Sequence, residues 1–229
     1  VIPARDGYKH FGLFVVDGEH KGLKAGINEK GLVVVTATAG SIPSKTRHQM
    51  PYSKSLTTRL LQECGGVDDV LARTDLFFGP VFLMIADRQK VATIEIGPEG
   101  VFSATVRQDG TIYHTNHYID ESMLAYNLVS SESSQTRFHR IAALLDSAPR
   151  PCDLDAFAAF ARDQNDGPDN SIFRKGSTPR KTRTLATWAV RIPESGSPEL
   201  HIRILNPGEE ERVIRVNSDD VFSGKLIVN

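Results

Sequence analysis

The run Val33-Val34-Val35, within Leu32–Thr38, constrains the fold more than any other feature of this chain. A strand that is apolar at consecutive positions is buried on both faces, so it belongs inside a sheet with other layers over it. The preceding Asn28-Glu29-Lys30-Gly31 is polar and ends in glycine, which reads as a hairpin turn leading from Leu23–Ile27 into the valine strand. His10–Val16 is a third short, β-branched segment ahead of them.

Helical spacing of Leu56, Leu60 and Leu61 predicts a helix over Ser53–Cys64, stopped by Gly65-Gly66. A shorter helix over Val67–Thr74 turns Val70 and Leu71 inward. Four strands with short turns follow: Pro80–Ala86, Val91–Gly97, Val101–Val106 and Thr111–His117. Such spacing predicts an antiparallel meander. Helices are then expected over Ser133–Asp146, with Phe138, Ile141 and Leu145 on one face, and over Cys152–Asp163, with Leu154, Phe157, Phe160 and Ala161 as its stripe. Gln164–Arg183 reads as a polar loop, and its Arg174, Lys175, Arg180, Lys181 and Arg183 as solvated charge. Strands return at Thr184–Ile192, His201–Leu205 and Glu211–Val216. Antiparallel runs with segregated helices predict an α+β layered fold, here taken as one domain over residues 1–229.

The chain is long enough to bury a core without staples, and its net charge of −1 supplies no field for nucleic acid or an anionic membrane. No apolar stretch is as long as a membrane span, and residues 1–7 lack the apolar core of a signal peptide, so a cytoplasmic protein is expected. Two cysteines do not make a disulfide framework. Phosphate-binding and nucleophile-elbow glycine motifs are absent, and the histidines are too scattered to suggest a metal or cofactor site. His114 and His117, three apart on the expected strand, point to opposite faces.

Two polar residues stand out. Asn116 closes the expected strand Thr111–His117 and offers two donors and an acceptor at a fixed point, although a turn asparagine also bonds its own backbone. Arg137 opposes the dipole of its helix from the edge of the apolar face, which suits either a site or a snorkelling surface arginine. Cys64 follows an apolar helix face and reads as a buried hydrophobe. Cys152 sits at a helix start, where a thiol pKa falls, but has no base near it in sequence.

Three segments in order resemble the choloylglycine hydrolase and penicillin acylase branch of the N-terminal-nucleophile hydrolases, with its acyl-CoA:6-aminopenicillanic acid acyltransferase relatives. They are Gly26-Ile27-Asn28-Glu29-Lys30-Gly31-Leu32-Val33-Val34, then Thr115-Asn116-His117, then Ser134-Gln135-Thr136-Arg137-Phe138-His139-Arg140. The resemblance covers about Leu23 to Leu145, and after Pro151 it is architectural only. It implies a four-layer αββα sandwich with two stacked antiparallel sheets. It implies catalytic roles for Asn116, at the oxyanion or the nucleophile, and for Arg137. It places Thr38 and His117 at the substrate, with threonine at position 38 where bile-salt hydrolases carry asparagine.

These families attack with an N-terminal cysteine whose own α-amino group takes the proton. Val1 cannot do this, and Arg5-Asp6-Gly7 stands too close to the hairpin to replace the family's early catalytic segment. The resemblance therefore implies that the nucleophile-bearing first hairpin is cut off, disordered or on another chain. The expected activity is hydrolysis of a linear N-acyl amide, a small-molecule substrate, with no cofactor, nucleic acid or membrane partner and a homo-oligomer left open. An acyltransferase using the same acyl-enzyme, and an inactive ligand-binding protein on the same fold, also fit the resemblance.

Overall fold

A computed structural model of the chain describes residues 1–2, 6–17 and 20–225. It comprises two compact units, residues 1–131 and 132–229. The fold is α+β, and the described residues form one antiparallel sheet of six strands and a second of three.

In the first unit the strands are β1 (His10–Asp17), β2 (His20–Asn28), β3 (Val33–Thr38), β4 (Val81–Ala86), β5 (Val91–Ile96) and β6 (Phe102–Arg107), and they pair in sequence order. The valine strand is therefore interior, as its composition requires. Val34 pairs with Gly26 on one side and Ile85 on the other, and is fully buried. Between β3 and β4 lie α1 (Ser44–Arg47), α2 (Leu56–Glu63) and α3 (Val67–Ala72). Leu56, Leu60, Leu61 and Cys64 of α2 and its end, with Val67 and Val70 of α3, form one apolar core with Val34, Leu83, Ile85, Ala92, Ile94 and Ile96.

The β2–β3 turn explains how helix and sheet come to share that core. Gly31 adopts a φ of +87°, which glycine takes without steric cost. Asn28 Oδ1 accepts from the backbone N–H of Lys30 and of Leu32, both at 3.0 Å, and closes the turn. Its Nδ2 donates to Leu61 O at 2.9 Å and Cys64 O at 2.8 Å. One buried amide thus shapes the hairpin and also receives the carbonyls left unsatisfied at the end of α2.

The second unit contains α4 (Glu132–Ser147), α5 (Leu154–Phe160), α6 (Gly167–Asn170), β7 (Ala186–Arg191), β8 (Glu199–Ile204), β9 (Arg212–Asn217) and α7 (Ser218–Phe222). β8 lies between β7 and β9 and buries Leu200, His201, Ile202 and Arg203 in succession. Helix α5 is shorter than its apolar stripe suggested. Ala158 is its buried residue, while Phe157 is exposed and meets Phe160 edge-on with ring centroids 5.7 Å apart.

One expected element is absent. Residues 111–117 form no strand. Gly110, at a φ of +96°, follows the end of β6, and the Asn116 main-chain oxygen accepts from Gly40 N and Ser41 N away from the sheet ladder. The alternation argument that separated His114 from His117 therefore does not apply, although contacts described below send the two rings to different partners.

Burial sets the charge state of two histidines. His10 is fully buried and His201 nearly so. For both, loss of solvent holds the imidazole pKa below its ordinary value of 6.5; the Tyr8 backbone opposes this at His10, and the Arg215 and Arg162 charges add to it at His201. A depressed pKa in the folded state means that the unfolded chain binds these protons first. The stability from neutral burial is fully present above pH 6.5 and is lost as pH falls from 6.5 through the folded pKa values. Urea midpoints should therefore decline between pH 7.5 and 5.5, and His10→Gln should flatten the slope. An unchanged slope in that variant would assign the pH dependence elsewhere.

Candidate active site

The loop carrying Asn116 is held from behind by side chains of the sheet. Glu95 is a buried carboxylate in a mostly apolar strand. Its Oε1 accepts from His114 Nε2 at 2.9 Å, from Ile119 N at 2.9 Å and from Asp120 N at 3.3 Å. His114 Nδ1 lies 3.0 Å from Thr115 O. Tyr118 is fully buried, its hydroxyl donates to Ile96 O at 3.0 Å, and Asn127 brackets its backbone with two bonds of 2.9 Å. Burial, with Glu95 adding a like charge, pushes the Tyr118 phenol well above its usual range, so it acts as a neutral donor. Glu95→Ala would leave three donors without their acceptor and should cost about 2–4 kcal/mol in urea unfolding, whereas Glu95→Gln, which keeps a carbonyl oxygen, should cost less.

Asn116 is clamped to the end of β3. Its Nδ2 donates to Thr38 O at 2.8 Å, and its backbone oxygen accepts from Gly40 N at 2.8 Å and Ser41 N at 3.2 Å. Arg47 Nη1 braces the same turn by donating to Ala39 O and Ile42 O at 3.0 and 2.8 Å. Gly40 suits this approach, because a Cβ there would lie 3.2 Å from Asn116 Cβ. Thr38 and Asn116, 78 residues apart in the chain, are joined by this bond. Thr38 meets it through its backbone oxygen. The N–H groups of Gly40 and Ser41 are already engaged with Asn116. His117 stands beside this clamp, its Nδ1 3.2 Å from Thr115 Oγ1.

Arg137 belongs to the second unit, on α4. Burial, then the nearby Arg174 charge, lowers its pKa to about 10, so the group stays cationic at neutral pH. Burial lowers that of Arg174 as well. This corrects the reading of Arg174 as solvated charge: it is half-buried, whereas Lys175, Arg180, Lys181 and Arg183 are exposed. Neither cysteine is built as a nucleophile. Burial raises the Cys64 thiol to about 11, and Cys152 Sγ lies 3.4 Å from Pro149 O, with no base among its described contacts. No group of three or more His, Cys, Asp or Glu among the described residues could hold a metal ion, and no described helix is long and apolar enough to cross a membrane. Arg5 lies outside the described residues.

The model of one protein family, acyl-coenzyme A:6-aminopenicillanic acid acyl-transferase, matches residues 1–198. The chain belongs to this family. No curated protein matches it. Two crystal structures of variants of the conjugated bile acid hydrolase from Clostridium perfringens are similar in fold, each with a TM-score of 0.55 at 14% identity, over 93% of this chain and 78% of theirs. Membership of the acyltransferase family and this likeness agree with the two antiparallel sheets and establish the N-terminal-nucleophile hydrolase fold. The Asn28 segment that carried the resemblance has a structural role, since both polar atoms of that side-chain amide are engaged in joining hairpin to helix. Glu95 was missed by motif reading. Its one sequence signal is a glutamate inside Val-Ala-Thr-Ile-Glu-Ile.

Proposed function

We propose that this family member cleaves linear N-acyl amides through a thioester acyl-enzyme. In this reading residues 1–229 act as one N-terminal-nucleophile hydrolase-like domain. The observation that supports it best is the Asn116 clamp, which holds this side-chain amide at a fixed point against the Thr38 carbonyl, 2.8 Å away at the end of β3. Arg137 is assigned as the active-site arginine, a half-buried cation for the developing charge, and Thr38 and His117 as residues at the substrate. Cys64 is too deeply buried and Cys152 lacks a base, so the attacking thiol is assigned to an N-terminal cysteine outside residues 1–229.

The family's own description favours a second reading, in which an amine instead of water takes the acyl group. One experiment tests both. The mature product of the full gene and residues 1–229 alone are assayed on a panel of N-acyl amides, with and without an added amine. Hydrolysis by the mature product, with an acyl adduct on a terminal cysteine by mass spectrometry, is expected, along with no turnover by residues 1–229. New amide formed when amine is added would select the acyltransferase. Steady hydrolysis by residues 1–229 alone would overturn the assignment.

A further inference from the structure

A cavity of about 300 Å³ in the second unit is lined by Arg162, Gln164, Phe173, Arg203 and Glu211. That size lies at the lower end for small-molecule sites. Arg203 projects from the middle strand β8 and is only 6% exposed. Its Nε and Nη2 make a two-pronged pair with Glu211, both at 2.7 Å, and its guanidinium lies over the Phe173 ring at 5.5 Å. These contacts fix the plane of the group. Its Nη1, which carries two N–H donors, is buried and meets no acceptor among the described residues.

A buried charged donor without an acceptor is unfavourable, and an apolar side chain like the neighbouring Ile202 would fill the strand position without that cost. The surrounding charge points to what completes it. Arg162 and Arg203 against Glu211 leave one net positive charge, with Arg162 Nη2 3.8 Å from Glu211 Oε1. The exposed Gln164 amide adds a donor at the mouth, and the Phe173 ring adds an apolar surface. We propose that this cavity binds a small monocarboxylate, its oxygens taken by Arg203 Nη1 and the Gln164 amide and its carbon chain laid against Phe173. A monoanion balances the net charge, whereas a phosphate dianion would overshoot it.

The test is calorimetric and involves no turnover, so it stands independently of the amide chemistry proposed above. Hexanoate, hexanamide and inorganic phosphate are titrated into the full chain. Hexanoate should bind at one site, at least tenfold tighter than the neutral amide or phosphate. Gln164→Glu changes an exposed residue and should leave thermal unfolding unchanged. It places a negative charge at the mouth and should weaken hexanoate about tenfold. Arg203→Lys should remove binding if that variant folds. No saturable heat with hexanoate up to about 10 mM, above millimolar affinity, would overturn the proposal. So would equal binding of hexanamide or phosphate, or undiminished binding by Gln164→Glu.

Discussion

Asn116→Ala in the mature enzyme should lower kcat by about 10²- to 10³-fold, roughly 3 to 4 kcal/mol, the size seen when one oxyanion donor is removed. The backbone half of the clamp survives the change, because Gly40 and Ser41 donate to the Asn116 main-chain oxygen. The side-chain half includes a bond to Thr38 O, and loss of such a bond costs about 1 kcal/mol. Turnover and stability should therefore separate. A kcat loss with KM and urea midpoint nearly unchanged supports the oxyanion role. If the midpoint falls steeply and kcat follows only the folded fraction, Asn116 is a loop clamp and nothing more.

Asn28→Ala should produce the largest stability loss, about 3 to 5 kcal/mol, on the scale of breaking a buried hydrogen-bonded network. Asn28 is 1% exposed, and truncation strands the Leu61 and Cys64 carbonyls and the Lys30 and Leu32 N–H groups at once. Asn28→Asp should also be severe, because a carboxylate would face the two carbonyls that now receive N–H donors. Equilibrium urea unfolding measures both. A loss under about 1 kcal/mol for Asn28→Ala would mean that water replaces these bonds freely, against the burial described. The two asparagines make opposite predictions from one chemistry: every polar atom of the buried Asn28 amide is engaged inside the fold, whereas Asn116 is proposed to act on a reacting group.

Local features were legible wherever one short stretch carried both the pattern and its cause. The valine run could only be an interior strand, because alternate residues of a strand face opposite sides and all of these are apolar. Gly31 and the polar turn before it announced the hairpin, and the leucines of α2 recur at the helical period. The resemblance pointed to Asn116, Thr38 and Arg137 but was silent on how they are held.

Tertiary structure decided the rest. Residues 111–117 carry a strand-like composition, yet a strand needs a ladder partner, and here the Asn116 main-chain oxygen is met by the turn after β3, while just beyond the segment the N–H groups of Ile119 and Asp120 are met by the Glu95 carboxylate. Nothing in a single segment shows that Gly40 and Ser41, far back along the chain, will take its main-chain oxygen. Phe157 and Arg174 exchanged their expected places for the same reason: composition made one apolar and the other charged, but burial depends on which surfaces the neighbouring elements cover. The sequence alone settled the periodicity of its elements and the turn chemistry that joins them, which act over a few residues. Where Glu95, Asn116 and Arg203 find their partners was settled only in three dimensions, because hydrogen bonds and desolvation act between groups that are close in space, however far apart they stand along the chain.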